Sequence, residues 1–286
     1  MSMKARVKAF IPPIVWSGLK GVAARLNKRP PGAGATEDQG AGRTILSLAS
    51  GQSFAIEFRR VSTSSGTFFV PEYAAHRPAS ECILSGTLYE PDTHALIAML
   101  MKLRPGSLVH AGTFFGDMLP SFARACPSTV YAFEPVLESF IMAKLCIQEN
   151  ELDNVLLMNA GLGESASVAR IDTGDEAGVH QGGSAKIGSR GQFTSLITID
   201  SLGIPDLSVI QLDVEGHELE ALKGGIDTIR KNAPIVLIED NKNNCGSFLK
   251  SLGYARRGEV PGLSIWASEN DRKVVDRASE ALSLAV

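Results

Sequence analysis

Between Pro91 and Trp266, short apolar runs alternate with stretches of helical spacing, and this alternation constrains the fold more than any other feature. The spacing predicts a helix over Thr93 to Lys102, with Asp92 as its cap, and a buried strand opening at Leu108-Val109 after Pro105-Gly106. A helix from about Asp117 to Ala125, a strand over Thr129 to Phe133, a helix over Glu138 to Asn150 and a strand over Val155 to Met158 are expected next. The series resumes with a strand over Leu207 to Leu212, a helix over Glu218 to Lys231, a strand over Ile235 to Ile238, a helix over Asn244 to Leu252 and a strand over Leu263 to Trp266. Strands joined through helices make βαβ units, which build a mostly parallel α/β sheet. Right-handed crossovers then put helices on both faces.

The flanks read differently. Ser53 to Phe58 alternates polar and apolar residues, and Thr67 to Val70 is similar, so a hairpin or small sheet is expected ahead of the main fold. The 286 residues divide into a basic amphipathic segment and linker (1–44), a small β-rich segment (45–90), the main domain (91–270) and a C-terminal tail (271–286). The first segment carries Lys4, Arg6, Lys8, Lys20, Arg25, Lys28 and Arg29, with no acid before Glu37, and apolar surface from Phe10, Ile14, Trp16 and Leu19. Such a segment suits peripheral contact with an anionic membrane, packing on the domain, or packing on a second subunit in a homodimer. Pro12 and Pro13 interrupt it as a secretory leader. No apolar run reaches the ~18 residues of a membrane span. A net charge of −3 gives no case for nucleic acid as a partner. Four cysteines without a CxxC pair point to a reducing, cytoplasmic setting. The Gly- and Ser-rich span from Gly163 to Phe193 is too long for an ordinary connection and reads as a functional loop or a surface insertion.

Ligands of an open parallel sheet bind beyond the carboxyl ends of its strands. Four strand ends carry chemistry here. The first is His110-Ala-Gly112-Thr-Phe-Phe-Gly116-Asp117, where Gly112 permits a tight turn and Gly116 a close approach of backbone to ligand. Its GxxxG spacing is not the dinucleotide GxGxxG. The second is Glu134, placed to accept hydrogen bonds from ribose hydroxyls or, alternatively, to favour a helix dipole. The third is Asn159, before Ala160-Gly161, able to bond an adenine or to hold its own turn. The fourth is Asp213-Val-Glu215-Gly-His217-Glu218, whose acids either cap a helix or face a reaction site, with His217 able to take a proton near neutral pH.

Together with Leu222-Lys-Gly-Gly225 and Tyr131-Ala-Phe-Glu134-Pro135, that last cluster resembles the FkbM-type S-adenosylmethionine-dependent methyltransferases. Gly86-Thr-Leu-Tyr-Glu-Pro91 and Thr198-Ile-Asp-Ser-Leu202 extend the resemblance from about Thr87 to Trp266. It implies a class I methyltransferase fold, a Rossmann-like seven-stranded sheet with its last strand antiparallel. It also implies S-adenosyl-L-methionine as cofactor and methyl transfer, usually to a hydroxyl oxygen of a sugar or natural product. His110, Gly112, Gly116, Asp117, Glu134, Asn159 and Asp213 are then the cofactor-binding candidates. The family's first motif begins with Asp where this chain has His110, and Phe114 replaces a commonly small or polar residue.

For catalysis the expected base is His217, with Asp213 orienting the small-molecule or glycan acceptor or sharing the role of base. A second reading uses a divalent metal such as magnesium on Asp213, Asp240 and Asn241, since oxygen ligands suit that ion. Tyr89, Glu90 and His76, just ahead of the main domain, are candidates for the acceptor pocket. A nicotinamide-dependent dehydrogenase would share the sheet, but the chain lacks GxGxxG and a Tyr/Lys catalytic pair. The competing reading is a non-catalytic nucleotide-binding module, degenerate at His110.

Overall fold

The computed structural model describes residues 40–47, 53–174, 182–239 and 244–282. The basic segment up to residue 39, and with it the membrane and subunit contacts expected of it, lies outside the described residues, as do Asp240 and Asn241.

Three antiparallel strands come first, β1 (Gly40–Ser47), β2 (Ser53–Thr63) and β3 (Gly66–Pro71), in the order β1-β2-β3. Two helices follow, α1 (Pro78–Leu84) and α2 (Pro91–Leu103). The alternating series is β4 (Ser107–Ala111), α3 (Leu119–Ala125), β5 (Val130–Phe133), α4 (Leu137–Glu149) and β6 (Val155–Met158). Next come four short strands, β7 (Gly161–Leu162), β8 (Ser167–Asp172), β9 (Lys186–Gly188) and β10 (Gln192–Ile197). The chain then runs β11 (Leu207–Leu212), α5 (Glu218–Lys223), α6 (Ile226–Asn232), β12 (Ile235–Ile238), α7 (Cys245–Ser251), β13 (Tyr254–Val260), β14 (Leu263–Ser268) and α8 (Arg272–Leu282).

The main sheet has seven strands in the order β13-β14-β12-β11-β4-β5-β6. β12, β11, β4, β5 and β6 pair in parallel, while β14 runs antiparallel to both β12 and β13. This is the class I methyltransferase arrangement that the resemblance implies. Successive strands step one way from β4 to β6 and the other way from β11 to β12, so strand order reverses between β4 and β11. Both faces are covered. Leu108 of β4 joins a core with Leu96 and Leu100 of α2, Phe122 of α3, Met142 of α4 and Val275 of α8. Its neighbours Val109 and Ala111 join a second core with Leu222 of α5, Ile229 of α6 and Leu249 of α7. Period-2 alternation of side chains splits one strand between two cores.

The β-rich segment belongs to the first core rather than standing apart. Phe58, Phe68 and Phe69 are buried in it, and Phe58 meets Phe69 edge-on at 5.3 Å. Asn150, just after α4, completes the edge of β3: Thr67 N–H donates to its Oδ1 at 2.9 Å, and its Nδ2 donates to Thr67 O at 2.6 Å. The expected tail also packs inward. Its helix α8 buries Val275 and Ala278, and Asp271 ahead of it pairs with Arg104 at 3.1 Å.

Several boundaries differ from the sequence expectation for local reasons. The helix expected at Thr93 begins at Pro91, and the capping position is Glu90, not Asp92. A proline at the first helical position has its φ preset for the turn. The helix expected over Glu218 to Lys231 divides at Gly224-Gly225 into α5 and α6. At Gly224 a Cβ would lie 1.9 Å from Gly163 O, so the close approach admits no side chain. The polar strand β13 and the short helix α1 carry no apolar run or periodicity strong enough to announce them.

Candidate functional site

A cleft opens beyond the carboxyl ends of β4, β5 and β11, where strand order reverses. Ala111, Gly112, Phe133, Glu134, Pro135, Val136, Asp213, Val214, Glu215 and His217 form its floor and sides. The described part of the span from Gly163 to Phe193 belongs, with its flanks at Gly161-Leu162 and up to Ile197, to a four-stranded sheet, β7-β10-β8-β9. Gly182, Gly183, Ala185 and Ile187 of that insertion, with Leu162 and Ile171, form the opposite wall.

Gly112 makes the turn that opens the cleft. Its φ is +91°, and a Cβ there would lie 1.9 Å from Asp213 O, so any side chain would collide with the neighbouring strand end. Glu134 stands opposite, buried at 6% exposure. Its Oε2 accepts Phe114 N–H at 2.7 Å and its Oε1 accepts Val136 N–H at 2.8 Å. Two amides thus fix the plane of the carboxyl group while each oxygen keeps acceptor capacity. Burial nevertheless pushes its pKa up to about 8, against the lowering effect of those amides. Asn159 is exposed, and its Nδ2 donates to Glu134 O at 2.9 Å and Pro135 O at 3.2 Å. Its side chain ties the turn that carries Glu134, and it is absent from the cleft lining.

Asp213 and His217 lie in the cleft wall. Burial raises the Asp213 pKa, and the negative charges of Glu239, Glu90 and Glu215 raise it further. Glu239, which the sequence reading passed over in favour of Asp240 and Asn241, follows β12 directly. The register Leu212↔Ile238 sets it beside Asp213. The signal was present, since both acids follow an apolar strand. His217 is the capping residue of α5. Its pKa is lowered by burial, against the opposing charges of Glu220 and Glu218. Glu218 is a structural acid: its Oε1 accepts Val214 N–H and Gly216 N–H, both at 3.1 Å. It clamps a turn in which Glu215 has φ +56° and Gly216 φ +100°.

Other candidates lie elsewhere. His110 points to the opposite face of β4, 1% exposed, with Nδ1 hydrogen-bonded to Gln211 Oε1 and its ring 5.0 Å from Phe122. It is therefore a core residue, and its departure from the family motif removes no group from the cleft. Burial depresses its pKa to about 4 despite the Gln211 bond. Asp117 is also buried outside the lining, its pKa raised to about 7 by burial and, less, by Glu90. Gly116, with φ +89°, backs onto α4, where a Cβ would meet Ala143 Cα at 3.2 Å. It serves helix packing and does not line the cleft. Glu90 accepts Thr93 Oγ1–H at 3.1 Å, and burial raises its pKa. Its charge reaches Asp213, and that of Asp213 reaches Tyr89, but neither Glu90 nor Tyr89 is in the cleft lining. His76 is exposed and absent from the lining. Among the described residues no group of three or more His, Cys, Asp and Glu is arranged to hold a metal ion. No helix of the described residues is long and apolar enough to cross a membrane.

The chemistry of the cleft fits a cationic nucleoside. Glu134 offers a diol two acceptor oxygens. Val136, Leu162, Ile171 and Ile187 offer a purine apolar contact. Glu134, Asp213 and Glu215 line the cleft, and no lysine or arginine is among its described lining residues. Buried carboxyls of raised pKa gain most from a ligand that brings positive charge.

Residues 110–256, just over half of the chain, match the methyltransferase FkbM domain. A crystal structure of methyltransferase FkbM from Methylobacillus flagellatus KT is similar at 17% identity and a TM-score of 0.43, covering 57% of this chain and 43% of that one. This chain therefore spans less than half the length of that relative. A SAM-dependent methyltransferase from Aquifex aeolicus is similar at 17% identity and a TM-score of 0.37, covering 62% of this chain and 92% of that one. A methyltransferase from Geobacter sulfurreducens is similar at 14% identity and a TM-score of 0.38, covering 68% and 86%. No curated protein sequence matches the chain significantly.

Proposed function

The chain belongs to the FkbM methyltransferase family, and from that premise we propose that it transfers a methyl group from S-adenosylmethionine to a hydroxyl oxygen of a sugar, glycan or other natural product. The observation that carries the reading is the pairing, across one cleft, of an amide-fixed carboxyl, Glu134, with the Asp213–His217 turn.

S-adenosylmethionine supplies an electrophilic methyl group on a sulfonium sulfur. The protein supplies orientation and proton handling. Glu134 accepts the ribose hydroxyls, and the apolar wall from Val136 to Ile187 takes the adenine. Gly112 lets the backbone come close, and Asp213 and Glu215 face the positive charge. His217 accepts the proton of the acceptor hydroxyl at a ring nitrogen. Its lowered pKa keeps the imidazole neutral at pH 7, the form a base needs. The carboxylates at the Asp213 end of the cleft suit a neutral, hydroxyl-rich acceptor, because they accept hydrogen bonds and repel anions. The position of His110 favours this reading over a degenerate binding module, since the residue that departs from the family motif faces the core.

Calorimetry with S-adenosylmethionine tests the cofactor, and transfer of labelled methyl to an extract of the host's glycans and metabolites tests the reaction. Binding followed by label in a hydroxyl-bearing product is the expected result. An absence of binding at millimolar cofactor would leave a degenerate module as the better account.

A further inference from the structure

Phe114 stands between the two walls of the cleft without lining it. It is a bulky residue at φ +50°, a backbone region that favours glycine and asparagine. A strained residue that persists is held by its surroundings, and such residues gather at functional sites. Two sets of contacts hold this one. Its N–H donates to Glu134 Oε2 at 2.7 Å. Its ring is 7% exposed, edge-on to Phe115 at 4.8 Å, and lies under the glycines of the insertion. A Cβ on Gly183 would sit 3.4 Å from Phe114 Cδ1, and one on Gly182 would sit 3.3 Å from Phe114 Cζ. The bare backbone of those glycines is thus what rests on the ring.

The same segment is fastened at two other points. Arg77 Nη2 donates to Ser184 Oγ, and Lys186 Nζ lies 3.7 Å from Glu215 Oε2. Both fasteners are polar and at least partly open to solvent, so water and salt weaken them. The ring of Phe114 is the apolar support.

We infer that Phe114 is a positioning residue for the cofactor: its N–H aims the Glu134 carboxyl, and its ring props the segment from 182 to 187 that walls the cleft. The inference rests on the cofactor reading above. One residue thereby sets both the ribose and the adenine side of the cleft, and a change at its side chain is felt at both.

The test compares wild-type protein with Phe114→Ala, which removes the ring, Phe114→Asn, which tolerates the positive φ but removes the ring, and Phe114→Tyr, which keeps it. S-adenosylmethionine, adenosine and 2′,3′-dideoxyadenosine are the probes, with thermal midpoints recorded alongside. The Ala and Asn variants are expected to bind S-adenosylmethionine about tenfold more weakly. They also lose part of the preference for adenosine over its dideoxy analogue, with the kinetic loss falling on the cofactor KM more than on kcat. Phe114→Tyr restores wild-type behaviour. If the Ala variant does not fold, the Asn and Tyr pair decides the question. Wild-type binding with unchanged affinity and diol preference in the ring-less variants overturns the inference alone. Failure of wild-type protein to bind S-adenosylmethionine overturns the cofactor reading itself.

Discussion

Replacing His110 with asparagine converts the buried imidazole into a measurement. In the folded chain the ring is 1% exposed, bonded through Nδ1 to Gln211, with no partner for Nε2. Protonation would place a charge where water does not reach, which is why its pKa falls from 6.5 to about 4. In the unfolded chain it returns to the ordinary value. Between those two values the unfolded state binds the extra proton, so stability rises with pH there. The contribution is complete above pH 6.5 and is lost progressively as pH falls to about 4. At ~1.4 kcal/mol per tenfold change in proton affinity, the displacement is worth roughly 3 kcal/mol. An asparagine amide can still bond Gln211 but does not titrate. The variant starts less stable at pH 7, because it loses ring packing against Phe122, yet it is spared the acid-dependent loss. Urea unfolding followed by the fluorescence of buried Trp266, at steps from pH 7 to pH 4, gives both curves. The expected gap between them closes by roughly 3 kcal/mol towards acid. His94, whose pKa is also lowered by burial, and the buried carboxyls are common to both proteins and largely cancel. Parallel curves would refute the reasoning, because they would mean that the ring is solvated or moves on protonation.

Three further outcomes are expected. His217→Ala lowers kcat by about 10²–10⁴-fold, the range of general-base catalysis, with much less effect on cofactor affinity; full activity in that variant removes His217 as the base. Glu134→Gln weakens S-adenosylmethionine binding by about tenfold or more, read by calorimetry, and unchanged affinity would place the ribose elsewhere. Gly112→Ala forces a Cβ to 1.9 Å from Asp213 O at a φ of +91°. The thermal midpoint is expected to fall by several degrees even for ~1–3 kcal/mol of backbone strain, and a wild-type midpoint would show that the turn relaxes freely.

Much of the architecture was legible because it rests on local periodicity. The runs at Leu108, Val130, Val155, Leu207 and Ile235 are short, apolar and separated by helical spacing, and each became a strand of the main sheet. Strand-end chemistry was partly legible for the same reason: Glu134 and Asp213 follow their strands directly, and both line the cleft. The insertion was visible only as an overlong, glycine-rich span, because a pattern of small residues does not say which face they will support. Polar β13 was missed because it is an edge strand with no apolar run, paired only with adjacent β14, and the C-terminal helix because its buried face packs on a core built from distant sequence.

By itself, the sequence determined the βαβ order, the glycine turn at Gly112 and the acids at the strand ends, since periodicity and strand termination are local properties. Tertiary structure alone decided which side chains share the cleft. One residue of offset along a strand reverses a side chain's face, so His110 entered the core while Ala111 reached the site. Pairing across β11 and β12 brought Glu239 to Asp213, and the packing of the insertion brought Gly182 and Gly183 onto Phe114. These contacts join residues far apart in sequence, and no local pattern records them.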